Sequence, residues 1–304
     1  MSSLYLKHRP TTLKQVVGNK AAISAMETVL ARKEGAPRAV LFTGPSGCGK
    51  TTMARIFKDA VGCIGSDFIE LDSADFRGID TVRDIRLAMG YGGVEGPCRV
   101  WLMDECHQLT KDAQSALLKA LEDTPSHVYF ILATTDPEKL LPTIRNRCTQ
   151  FEVKPLTDDE MSILIERVLR AEKTNIPDDA FDAIITNALG SPRMCLVLLD
   201  KIISMPEKDM AEAAAQFAEE ASETIALCRA LIKGAPYKAL ATIVAGLKQE
   251  PESIRRAVLG YCSSILSKAD NSRAYLVMTC FSRNYYDSGK AGLVMSVYEA
   301  AHLK

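Results

Sequence analysis

An apolar run, Ala39-Val-Leu-Phe-Thr43, ends directly in Gly44-Pro-Ser-Gly-Cys-Gly-Lys-Thr51. No other feature constrains the chain as strongly. The second segment fits G-x-x-x-x-G-K-[ST], with glycines where the backbone must wrap an anion and turn its N–H groups inward. A helix starting near Lys50 adds the positive end of its dipole. The geometry needs a buried strand before the loop and a helix after it, so the chain is committed to an α/β core. At average residue usage the pattern arises by chance in about 1% of chains of this size. In this reading Gly44, Pro45, Ser46, Gly47, Cys48, Gly49, Lys50, Thr51 and Thr52 form a phosphate cradle. Lys50 reaches the β- and γ-phosphates, and Thr51 holds Mg²⁺.

Two further apolar runs, Val100-Trp-Leu-Met-Asp104 and Val128-Tyr-Phe-Ile-Leu-Ala133, read as buried strands. Helical periodicity occupies 50–61, 80–89 and 111–122. Strands alternating with helices imply a parallel sheet covered on both faces. Glu152-Val-Lys-Pro-Leu-Thr157 marks a boundary, with Thr157 placed to cap a helix beginning at Asp158. Beyond it the pattern is helical only, near 158–172, 178–188, 192–204, 208–231, 236–248, 252–268, 271–282 and 289–302. The stretch 206–223, with six acids and one lysine, reads as a solvated helix. The predicted organisation is an α/β nucleotide-binding domain over 1–153, then helical domains over 154–206 and 207–304. A chain of 304 residues exceeds what one core usually fills.

The 37 Lys+Arg and 38 Asp+Glu nearly cancel, but residues 1–58 carry ten basic and two acidic side chains. This local +8 against −9 elsewhere argues against whole-surface binding of nucleic acid and permits a focused site for phosphates. The nine cysteines include no C-x-x-C pair, and several lie in apolar runs, as reduced buried thiols of a cytosolic protein do. No apolar stretch approaches the ~18–20 residues of a membrane span, and the first ten residues hold no apolar signal core.

Downstream of the phosphate loop, Asp104 and Glu105 close the second apolar run. Asp104 is placed to support the magnesium ion and Glu105 to orient and polarise an attacking water. The run Trp101-Leu-Met-Asp-Glu-Cys-His-Gln-Leu-Thr-Lys-Asp-Ala-Gln-Ser-Ala-Leu-Leu-Lys-Ala-Leu-Glu-Asp123, followed by Ile131-Leu-Ala-Thr-Thr-Asp-Pro-Glu-Lys-Leu140, resembles the AAA+ ATPases of DNA clamp loaders. It is similar in particular to the tau/gamma subunit of bacterial DNA polymerase III, and also to the small subunits of replication factor C. The likeness is dense from Leu4 to about Leu199 and rests on helical layout beyond that point.

The resemblance implies an AAA+ domain, a helical lid and a helical collar for oligomerisation, working with ATP and Mg²⁺. The phosphate loop alone leaves ATP and GTP open. Within Tyr5 to Gly18, Arg9, Val16 and Val17 correspond to positions packing around adenine. Thr135 matches the sensor-1 position, and Arg193 in Gly190-Ser-Pro-Arg-Met matches sensor 2 on the lid. Arg147 matches the arginine finger that completes a neighbouring subunit's site in trans. The family's preceding serine is Asn146 here, and Arg145 is the competing arginine.

Arg77, Asp80, Arg83, Arg86, Thr110 and Lys111 resemble elements lining the DNA channel. Met89 and Tyr91, beside the Gly-rich 90–96 segment, either meet a sliding clamp or pack into the core. The four-cysteine zinc module of many bacterial relatives is reduced to Cys63, so no zinc is expected. No polymerase- or helicase-binding tail is expected after Lys304.

The implied assembly is a ring, pentameric in the family, with or without a divergent additional subunit. Its partners are a sliding clamp and primer–template DNA, in a bacterial or phage-infected cytoplasm. Two alternatives stand beside it: a branch-migration or remodelling AAA+ ATPase, and a structural ring subunit without hydrolysis. The strand-poor C-terminal half weighs against the first, and intact Lys50, Thr51, Asp104, Glu105 and Thr135 against the second.

Overall fold

Val40, Leu41 and Phe42 have no solvent exposure, and neither do Phe130, Ile131 and Leu132. Such continuous burial requires cover on both faces, which helices on a parallel sheet provide. The computed structural model describes residues 3–32, 35–72, 78–221, 223–247, 249–267 and 270–302. The strands are β1 (Ala39–Thr43), β2 (Phe68–Asp72), β3 (Arg99–Asp104), β4 (Val128–Thr134) and β5 (Thr149–Glu152). All pair in parallel, in the order β2-β3-β4-β1-β5.

The pleat sorts the strands' side chains between two cores. Val40, Phe42, Val100, Leu102, Ile131 and Ala133 face one layer with Met26, Met53 and Phe57. Ala39, Leu41, Trp101, Met103, Phe130 and Leu132 face the other, with Val82, Leu117 and Ile144. The helices supplying these layers are α2 (Lys20–Leu30), α3 (Lys50–Ala60), α4 (Ile79–Ala88), α5 (Lys111–Glu122) and α6 (Pro142–Arg147), after the short α1 (Leu4–Lys7).

β2, β5 and α2 were not expected from the residue pattern. β2 and β5 are the two edge strands, half open to solvent, and they carry Glu70, Asp72, Gln150 and Glu152 where an inner strand is apolar. α2 buries only Ala22, Met26 and Val29.

His8–Leu156 forms one compact unit, and described residues 3–7 and 157–302 form a second. The second is helical: α7 (Asp158–Glu172), α8 (Asp178–Ala188), α9 (Pro192–Ile202), α10 (Glu207–Ala221), α11 (Glu223–Ile232), α12 (Tyr237–Gly246), α13 (Pro251–Leu266), α14 (Ser272–Cys280) and α15 (Gly289–His302). No strand follows β5 among the described residues.

Thr157 caps α7 as expected, in a reciprocal capping box with Glu160. Of the helix expected over 208–231, the described residues form α10 and α11, and residue 222 between them lies outside the described residues. Nor is α10 merely solvated. Met210, Ala214 and Ala218, four residues apart, are buried, and the helix packs on α8 and α9. Glu207, Asp209 and Glu212 are exposed, which is why composition alone reads the helix as solvated. All nine cysteines are free and buried.

The Gly-rich segment after α4 is held by one carboxylate. Asp67 is fully buried and accepts the N–H groups of Val94, Glu95 and Gly96 at 2.8, 2.8 and 2.9 Å. The Val94 bond, joined by the other two and by nearby Arg99, holds the Asp67 carboxyl below its ordinary value of 3.8. A carboxyl with a depressed folded value contributes stability that is complete above the ordinary value and is lost as pH falls through the folded one. Asp67→Asn should therefore melt at a lower temperature than the parent at pH 7, with the gap closing in acid. Melting curves of both proteins between pH 7 and 3 check this; a gap independent of pH would remove the charge from the explanation.

Candidate nucleotide site

The parallel register brings the C-terminal ends of β1, β3 and β4 together: Thr43 lies opposite Thr134 and Met103 opposite Leu132. The loop leaving β1 is tied down at once, its Gly44 N–H donating to the Thr134 carbonyl at 3.3 Å. Gly44 has φ +145°, and a Cβ there would fall 2.0 Å from the Val153 carbonyl oxygen. Glycine is thus required by a backbone contact as well as by conformation. Gly47 and Gly49 also take positive φ, and a Cβ on Gly49 would meet nothing within 4 Å. Open space therefore lies beside the loop where it leads into α3.

Lys50 is buried, and its Nζ donates to the Gly44 and Pro45 carbonyls at 2.9 and 3.1 Å. This sets the ammonium inside the curve of the loop. Pro45 and Ser46 are exposed on its rim, and Thr52 is half-buried in the first turn of α3. Burial pushes the Cys48 thiol up to about 11, so it adds no negative charge to an anion cradle.

The Thr51 hydroxyl donates to Asp104 Oδ2 at 2.7 Å, and Asp104 Oδ1 accepts the Glu105 N–H at 3.0 Å. Thr51 and Asp104 thus present oxygens at one point. Among the described residues no cluster of three or more His, Cys, Asp or Glu could hold a metal. Mg²⁺ commonly takes only one or two protein ligands, completing its octahedron with water and phosphate oxygens. The hydroxyl–carboxylate pair fits that requirement.

Glu105 turns away from β3 with φ +47°, an uncommon conformation for a non-glycine residue. Its Oε2 accepts the Thr135 hydroxyl at 3.1 Å. The structure thus gathers Lys50, Thr51, Asp104, Glu105 and Thr135 at the ends of adjacent strands.

The segment ahead of α2 arrives at the same end of the sheet. Asn19 donates to the Lys154 carbonyl at 3.0 Å and accepts the Lys154 N–H at 2.7 Å, one residue beyond the Val153 carbonyl that crowds Gly44. Val16 packs on the core beneath, and Val17 and Arg9 are half-buried.

Of the other expected residues in the α/β unit, Arg147, Arg145, Arg83 and Thr110 have partners of their own. Arg193 belongs to the helical unit, exposed in the first turn of α9, its guanidinium 5.9 Å from the Tyr5 ring centroid. Arg147 is exposed at the end of α6, pairing with Glu122 and donating to the Thr143 carbonyl. Arg145 pairs with Glu138 at 2.9 Å. Arg83 pairs with Asp80 at 2.9 Å on the exposed side of α4; Arg86 is exposed there too. Thr110 uses its hydroxyl to cap α5 by accepting the Ala113 N–H, and Lys111 beside it is exposed. Arg77 lies outside the described residues.

Met89 is buried in the sheet's core, so it does not face a partner, whereas Tyr91 is 70% exposed. The spacing of apolar residues along α4 cannot separate these two, because the chain turns between them. Sequence reasoning also missed His107 and Thr134, which stand beside Glu105 and Thr135 and touch each other. The Asp-Glu-Cys-His and Thr-Thr runs contained them, but their contact spans 27 positions.

A family model described as the DNA polymerase III delta subunit matches residues 66–157, and one described as the Rad17 P-loop domain matches residues 2–83. DNA polymerase III subunit gamma/tau of Mycobacterium tuberculosis is 34% identical over 225 residues, covering 66% of this chain and 39% of that protein. The tau subunits of Bacillus subtilis and Escherichia coli are 34% and 33% identical over similar shares. This chain is a relative of the DNA polymerase III gamma/tau subunits. It covers about two-fifths of the length of the M. tuberculosis relative.

Among solved structures, a variant of Thermotoga maritima RuvB superposes with a TM-score of 0.63 at 20% identity, covering 87% of this chain and 93% of that one. The T. maritima RuvB Holliday junction branch migration motor gives 0.60 at 22%, covering 78% and 85%. The chain thus carries the AAA+ P-loop fold.

Gly44→Ala tests the cradle. Relieving a 2.0 Å clash with a backbone carbonyl must displace the loop or β5. At about 1–3 kcal/mol of strain, affinity for a fluorescent ATP analogue should fall about 10- to 100-fold. Titration by anisotropy reads the loss; unchanged affinity would mean the loop does not hold the nucleotide.

Proposed function

We propose that this chain is an ATP-hydrolysing motor subunit of a DNA sliding-clamp loader. The observation that carries the reading is the Thr51–Asp104 contact at 2.7 Å beside the Lys50 cradle, with Glu105 and Thr135 paired on the neighbouring strand ends. That set suits gripping phosphates and one Mg²⁺ while aligning a water for attack. A ring subunit that only binds nucleotide has no need of Glu105 and Thr135.

In this proposal residues 44–52 cradle the phosphates of ATP, with Lys50 on the β- and γ-phosphates. Thr51 and Asp104 serve Mg²⁺, Glu105 polarises the water, and Thr135 senses the γ-phosphate. Arg9, Val16 and Val17 flank adenine. Residues 154–206 act as a lid whose Arg193 reads the nucleotide, and 207–304 act as the collar of a ring, pentameric as in the family.

Arg147 completes the neighbouring subunit's site. Arginine's planar, permanently charged fork suits a transferring phosphoryl group. The ATP-bound ring opens a clamp and admits primer–template DNA, and hydrolysis releases the closed clamp. Leu87, Tyr91 and Val94, 74%, 70% and 77% exposed, offer an apolar surface for that clamp. Arg83, Thr110 and Lys111 are the DNA-facing candidates among the described residues.

The gamma/tau likeness, at 34% identity, supports a place in replication. The RuvB likeness, at 20–22%, concerns the fold alone and gives branch migration no added weight.

The test is ATP turnover by the purified chain with and without primer–template DNA, with Lys50→Ala as the blank. Turnover should depend on Lys50 and rise at the junction. Arg147→Ala should cut assembled turnover by about 10³-fold while nucleotide binding stays intact. Turnover surviving Lys50→Ala would overturn the site, and an equal Arg147 loss in dilute monomer would put that residue in cis.

A further inference from the structure

Thr134 ends β4 and Thr135 follows it, and only the second donates to Glu105. Thr134 has no solvent exposure; its Oγ1 accepts the Asp136 N–H at 3.0 Å and lies 3.0 Å from His107 Nδ1. The same Nδ1 is 3.4 Å from Glu105 Oε2, the oxygen that also accepts the Thr135 hydroxyl. An ionised carboxylate offers lone pairs only, so a nitrogen facing it must bring the hydrogen. The His107 side chain is only 13% exposed, which leaves little room for water to take over.

We propose that His107 is a positioning residue for Glu105, acting as the Nδ1–H tautomer whose hydrogen is shared between Thr134 Oγ1 and Glu105 Oε2. The inference rests on the ATPase reading and deepens it. Glu105 leaves β3 through a positive-φ turn, so its backbone alone holds the carboxylate in a costly conformation. With Oε2 anchored, Oε1 is the oxygen that receives a water's hydrogen. Thr135 is shared: when its hydroxyl turns to a phosphate oxygen, Glu105 loses that donor. His107, fixed by a buried threonine that takes no part in the chemistry, keeps Oε2 in place through that exchange.

Two measurements on the full chain test this. The first is ¹H–¹⁵N NMR of the imidazole nitrogens, with four histidines to assign and His107→Asn removing one. A protonated Nδ1 on His107 is expected; a bare Nδ1 with the hydrogen on Nε2 overturns the proposal. This readout needs no turnover, so it decides the tautomer even if the chain shows no Lys50-dependent ATPase and the functional reading fails.

The second is steady-state kinetics. His107→Ala should lower kcat about tenfold. KM and ATP-analogue affinity should stay within about twofold. His107→Asn, whose amide nitrogen replaces Nδ1, should recover most of kcat. In a Glu105→Gln background His107→Ala should cost nothing further. Loss of affinity together with kcat, or no recovery by Asn, makes His107 a packing residue and overturns the proposal.

Discussion

The placement of β1 between β4 and β5 is what the site depends on. Because all five strands run parallel, their C-terminal ends share one edge, and the loop from β1 emerges beside the end of β4. Crevices at that edge of parallel sheets are where ligands collect. The register then brings the short polar side chains into place: Asp104 ends β3, Thr134 ends β4, and the phosphate loop starts one residue past Thr43. Gly44 sits between two neighbours at once, donating to Thr134 and pressed against Val153. The loop is thereby referenced to both strands flanking β1.

Burial at this edge serves polar groups as well as apolar ones. Lys50 and Thr134 are both buried here with their bonds made, Lys50 to loop carbonyls and Thr134 to an amide and an imidazole; Asp67, buried at the opposite end of the sheet where β2 begins, is likewise bonded to three amides. A buried polar group without partners would cost several kcal/mol, whereas one fully bonded fixes a geometry. The lysine is the informative case. Its ammonium rests on carbonyl oxygens of the loop that anions would enter, so an arriving phosphate meets a charge already desolvated and aimed.

Much of this was legible because the inner strands are unbroken apolar runs and the loop motif carries its own mechanism. The parallel sheet, the alternation of strand and helix, and the Thr157 cap all follow from local pattern. What escaped is what depends on position within the sheet. β2 and β5 were invisible because edge strands are half solvated, and their Glu and Asp read as loop. α10 misled by composition: its acids dominate the sequence, while three small or flexible apolar residues a turn apart do the packing. Met89 and Tyr91 are two residues apart, yet one is core and the other surface. His107 was in plain view beside Glu105, but its role appears only when β3 and β4 are set side by side.

The two arginines of α6 show how structure weighs a choice that residue type cannot make. Arg145 is the less exposed, its guanidinium paired to Glu138, and its carbonyl accepts from Gln150. It is woven into the turn leading to β5. Arg147 meets Glu122 across open surface, with side chains 40% and 47% exposed. Exposed pairs of that kind contribute about 0–1 kcal/mol, because water screens them and two long side chains must be ordered. Little therefore restrains Arg147 from exchanging Glu122 for a phosphate, which offers more charge and a matching fork geometry. Under the proposed trans role, Glu122 parks the guanidinium until a neighbour's nucleotide arrives.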